Sequence, residues 1–86
     1  MTEKEETKLF TKINRELKDG GIIIAIFPRE NGPLWWTSKK VSAVFKKNGN
    51  TPRGVLCENE FIPLNALSCV YTLDGETFYD EESEWS

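Results

Sequence analysis

The residues that could do chemistry in this chain are few. There is no histidine, which removes imidazole-based zinc sites, Ser-His-Asp triads and Cys-His dyads at once. Two acid pairs flank short turns, Glu58 with Glu60 and Asp74 with Glu76. Paired carboxylates serve as general acid and base when one of them is buried. Acids beside turns belong in solvent, so the chain is expected not to be an enzyme. Gly20-Gly21 and Gly32 are not followed by Gly-Lys-Ser/Thr, so no phosphate-binding loop is present. No metal site and no cofactor are expected, because without histidine no donor set is dense enough. Cys57 and Cys69 have neither a Cys-x-x-Cys spacing nor a larger disulfide framework around them. They read as reduced, buried, apolar thiols; a disulfide between neighbouring strands and a redox pair are the alternatives.

Binding chemistry has more material. Trp35 and Trp36 are adjacent, and successive side chains of a strand leave on opposite faces. One ring is therefore expected in the core and the other outside, where tryptophan is a common anchor for a protein partner. Lys39, Lys40, Lys46, Lys47 and Arg53 follow. If they share a face with the exposed ring, they form the aromatic and cationic platform that holds single-stranded nucleic acid. The net charge of -3 argues against nucleic-acid coating as the main task. A second candidate lies at Tyr79 to Ser86, where Asp80, Glu81, Glu82 and Glu84 precede Trp85. Such a stretch recruits a partner by electrostatic steering and one aromatic anchor, or simply solubilises the chain.

The elements that must position these residues are one helix and several short strands. Thr2 to Lys18 reads as an amphipathic helix. Thr2 and Glu5 have capping-box spacing, acids fill the first turn, and Leu9, Phe10, Ile13 and Leu17 form a narrow apolar stripe. Gly20 and Gly21 stop it. Ile22 to Phe27 is an apolar, β-branched run expected to be a central strand ended by Pro28. Leu34 to Thr37 and Lys40 to Lys47 are read as two further strands, the second with Val41, Ala43 and Phe45 on its inner face. Asn48-Gly49-Asn50 is a hairpin turn. Arg53 to Cys57 and Phe61 to Leu64 form another hairpin. Ser68 to Leu73, the turn Asp74-Gly75, and Glu76 to Tyr79 complete the chain. The expected fold class is α+β: the helix packed on a small antiparallel β-barrel of five to six short strands.

Two stretches carry a resemblance. Leu34-Trp35-Trp36 resembles the tryptophan pair of Src-homology-3 domains, and Phe61-Ile62-Pro63-Leu64-Asn65-Ala66-Leu67 resembles their strand, 3₁₀ turn and strand. Ala66 stands where that family has a peptide-binding tyrosine, so the resemblance implies SH3-like architecture and not proline-peptide binding. The order of one helix and then a bent small barrel, with Phe61 to Val70 as the last strand pair, is also similar to Sm-like (Hfq-like) proteins. That resemblance implies a nucleic-acid surface as the rival function. Fold alone carries neither activity.

With 86 residues the chain is expected to form a single domain over residues 1–79, followed by an acidic tail over residues 80–86. No apolar run approaches the ~20 residues of a membrane helix, and a cytoplasmic location is expected. A domain this small has a thin stability margin that a partner protein or a homo-oligomer would relieve. The resulting expectation is a non-catalytic interaction module. It would be an inhibitor, adaptor or small subunit, of the kind phages and mobile elements encode, binding through an exposed tryptophan and the acidic end.

Overall fold

The computed structural model describes residues 1–29 and 35–81, without the side chains of Arg29, Trp35 and Trp36. Helix α1 spans Glu3–Lys18. The capping box forms as the spacing predicts: the Glu5 N–H donates to Thr2 Oγ1 at 3.2 Å, and the Thr2 N–H donates to Glu5 Oε1 at 3.1 Å. At the other end Gly20 takes a φ of +80°, a conformation open to glycine at little cost. Leu9 and Ile13 are buried, and Phe10 and Leu17 pack beside them.

The strands are β1 Ile23–Arg29, β2 Trp35–Phe45, β3 Gly54–Cys57, β4 Glu60–Pro63, β5 Cys69–Thr72 and β6 Thr77–Asp80. A single 3₁₀ turn, Leu64–Ala66, joins β4 to β5. All pairings are antiparallel, in the order β4-β3-β2-β1-β5-β6. The expected barrel is not closed; β4 and β6 are the two edges of an open sheet. Helix α1 lies against β2, β6 and β1. The core joins its stripe to Ile23, Ala25, Phe27, Val41, Val55, Cys57, Ile62, Leu64, Leu67 and Val70.

Three expectations about the strands need correction. Pro28 does not end β1, which runs on to Arg29 with Pro28 opposite Trp36. The β5 ladder stops at Ile26, so Pro28 needs a partner on one side only, where a missing N–H is tolerated. The segments around Thr37 and Lys40 are not two strands but one strand of 11 residues. Its polar middle is accommodated because Ser38 and Lys40 are exposed and Lys39 finds an acid. Finally, β2 shifts register between Val41 and Ala43. Val41 opposes Cys57 but Ala43 opposes Leu56, so Ser42 is an extra residue. Its hydroxyl donates to the Leu56 carbonyl at 3.0 Å. The alternation is thereby reversed: Val44 packs on the core and Phe45 faces out.

Candidate docking surface

Beyond the Ser42 bulge, Phe45 pairs with Gly54 on β3, and Gly54 pairs with Pro63 on β4. Leu56 and Phe61 are the next opposed pair. These residues share the outer face, because Val55 and Ile62 between them are buried in the core. Gly54 explains the local geometry. A Cβ there would run into the Phe61 ring and approach the Ile62 carbonyl oxygen to 2.7 Å. Without one, the Phe61 ring lies over the Gly54 backbone and meets Phe45, with ring centroids 6.3 Å apart and planes tilted by 44°. That is a favourable aromatic arrangement. Yet Phe45 remains 45% exposed and Phe61 37%.

The chain then turns sharply. Asn48 and Thr51 exchange two backbone hydrogen bonds of 2.9 Å, and Gly49 supplies the positive φ of 59°. The turn places Lys46, Lys47, Asn48 and Thr51 around the Phe45–Phe61 pair as the walls of an open groove. Both lysines are exposed. Neither is in an ion pair among the described residues. The site is therefore an aromatic floor with a cationic rim, chemistry that suits an apolar side chain flanked by carboxylates.

The cations singled out by the sequence do not share one face. Lys39 binds Glu58 at 2.8 Å. Glu58 itself takes a φ of 60° in the two-residue β3–β4 turn, a position that favours glycine. Lys40 is exposed beside Ile24 in the β1–β2 ladder, on the opposite side of the strand from Lys39. Arg53 joins Lys47, Pro52 and Asn65 in a neighbouring shallow groove that Glu3 and Glu6 also line. Lys46 and Lys47 alone reach the aromatic pair.

Of the other predicted residues, Tyr79 packs against the core and Asp80 ends β6. The Glu81 N–H donates to the Ser68 carbonyl at 2.8 Å. A register shift in the β5–β6 ladder lets Phe78 and Tyr79 both reach the core, and the Lys12 ammonium sits 5.9 Å from the Phe78 ring centre. The exposure expected for Trp35 or Trp36, and the roles given to Glu82, Glu84 and Trp85, lie outside the described residues.

Both acid pairs flank turns, with Glu60 the first residue of β4. The Thr72 hydroxyl donates to Asp74, and the Glu76 N–H donates to Thr72 Oγ1 at 2.9 Å, which fixes the β5–β6 turn. Among the described residues no group of three or more potential metal ligands gathers. Cys57 and Cys69 are not joined in a disulfide; Cys57 is buried and Cys69 partly so. Burial first, and then the charge of Glu60, push the Cys57 thiol up to about 11, which makes it a poor nucleophile.

Phe45 and Phe61 were not singled out by the sequence reading. Gly54 in a strand was the available signal, since such a glycine often marks close approach by another group. No helix among the described residues is long and apolar enough to cross a membrane. Compared with protein-family models, curated proteins and solved structures, the chain matches none.

Proposed function

We propose that the protein is a non-catalytic binding module that docks a protein partner on the Phe45–Phe61 surface. Two phenylalanine rings in tilted contact, both left exposed on a domain of this size, carry this reading. Apolar rings at a docking centre supply binding energy, and a charged rim supplies orientation and rate. The partner segment presents an apolar or aromatic side chain between carboxylates, matching Lys46 and Lys47. An inhibitor, adaptor or small subunit has this form. The acidic residues from Asp80 onward are a second proposed contact, and Trp35 or Trp36 a third; the leading surface depends on neither. The strand, 3₁₀ turn and strand from Glu60 to Thr72 support a distant SH3-like or Sm-like kinship as part of the same proposal.

A photo-cross-linking phenylalanine analogue at position 61, activated in the source cell, tests the surface. A discrete protein adduct that disappears in the Phe45→Ser background is the expected result. Adducts to RNA or DNA instead would overturn it in favour of the nucleic-acid reading.

A further inference from the structure

The large apolar side chains exposed among the described residues are Met1, Ile22, Phe45, Phe61 and Leu73. Apart from Met1 they form two pairs. Phe45 and Phe61 are one. Ile22 and Leu73 are the other, tied by a 3.0 Å hydrogen bond from the Leu73 N–H to the Ile22 carbonyl. Leu73 is 66% exposed. The two pairs have rims of opposite sign. Lys46 and Lys47 wall the aromatic pair, whereas Glu16 and Asp74 line the groove of Ile22 and Leu73. The negative end of the α1 dipole also faces that groove, which Gly20 and Gly21 complete. Arg15 and Lys18 line a separate groove with Thr11, Asn14 and Asp19.

The two pairs also lie at different ends of α1. Glu16 belongs to the acidic groove, while Glu3 and Glu6 line a groove with Lys47. Glu3 and Glu16 are thirteen positions apart on the helix, about 20 Å at 1.5 Å per residue. The two patches therefore lie beside opposite ends of the helix and do not form one continuous surface.

We infer that the chain self-associates head to tail: the Ile22–Leu73 end of one copy docks on the Phe45–Phe61 end of the next. The inference rests on reading the aromatic pair as a docking surface, and names a second copy of this chain as its occupant. Charge complementarity selects this pairing. Two aromatic ends together would oppose lysines to lysines, and two acidic ends would oppose carboxylates to carboxylates. Contact between unlike patches is heterologous, so each added copy leaves one end of each kind free. Rings or short chains follow, rather than a closed two-fold dimer. The patches are small, and association in the range of about 10 μM to 1 mM is expected.

Sedimentation of the full chain over that concentration range, with two variants, tests the inference. Lys46→Glu with Lys47→Glu inverts the basic rim, and Leu73→Lys spoils the acidic end. All three side chains are exposed, and unchanged thermal unfolding confirms that each variant folds. The wild type should assemble beyond a dimer and lose assembly in about 1 M salt, where charges are screened within about 3 Å. Each variant alone should weaken association at least tenfold. An equal mixture of the two should recover one intact contact and stop at a 1:1 dimer. A wild type that stays monomeric throughout overturns the inference, as does a mixture that restores nothing. If the chain stays monomeric while position 61 captures a different protein, the docking surface stands and the second copy is excluded as its occupant. If position 61 captures nothing as well, both fail.

Discussion

The two faces of the β3–β4 hairpin differ by one residue in sequence and by everything in fate. Val55, Cys57 and Ile62 point inward and are buried; Leu56 and Phe61, their immediate neighbours, point outward with Phe45. Both faces are apolar. The inner one is covered by the helix side of the core and stabilises the fold. The outer one keeps its rings half in water, so its apolar surface contributes little to folding and remains to be buried by something else. Apolar composition alone therefore does not separate core from docking surface in this chain; coverage does.

The largest effect should come from the covered side. Ile13 is fully buried between α1 and the sheet, and Ile13→Ala should lower unfolding free energy by roughly 2–5 kcal/mol in denaturant titration. A loss below about 0.5 kcal/mol would show that the helix does not dock, and would remove the distinction between the faces.

Gly54 joins the two faces. Gly54→Ala should destabilise by about 1–3 kcal/mol, because the new methyl overlaps the Phe61 ring and crowds the Ile62 carbonyl. Adding Phe61→Ala should recover part of that loss and not all of it, since the backbone contact remains. Strict additivity in the double-mutant cycle would mean that the ring does not lie over Gly54.

Alkaline pH probes the inner face alone. The Cys57 thiol is raised in the folded chain from 9.0 to about 11, so the folded state holds its proton longer than the unfolded one. Its stabilising contribution is complete below pH 9 and is lost as pH rises towards 11. At pH 10 the loss should be roughly 1 kcal/mol relative to pH 8. A Cys57→Val variant should show a flatter decline over that window; an identical decline would place the titration elsewhere.

The outer face should give the smallest change in folding. Phe45→Ala should cost less than about 1.5 kcal/mol, since the ring is already nearly half exposed. The same variant should weaken docking at least tenfold. A folding loss comparable to that of Ile13→Ala would make Phe45 part of the core and end the contrast.

Local signals made about half of this architecture legible. The α1 start was visible because capping is local: Thr2 and Glu5 bond to each other. The turns at Gly49 and Gly75 were visible because both need positive φ. The failures were nonlocal. Pro28 fits within β1 only because β5 ends beside Ile26. Ser38 to Lys40 looked like a break between strands, yet Lys39 is matched by Glu58, nineteen positions away. The open edge at β4 in place of a closed barrel depends on strands that meet late in the chain. The aromatic pair was hidden for the same reason. Phe45 faces outward only after Ser42 is counted as unpaired, and it meets Phe61 only through the β2-β3-β4 ladder.

The extra residue at Ser42 makes β2 a strand with two phases. Before it, odd-numbered Val41 points into the core; after it, even-numbered Val44 does. A strand read in one phase throughout would bury Phe45 and push Val44 out, with no change in the rest of the chain. The surface chemistry of this end of the molecule is thus encoded as a frameshift in side-chain parity. Pairing Ser42 regularly within the ladder, instead of leaving it out, would act as a reading-frame change does, erasing the aromatic face while conserving every amino acid.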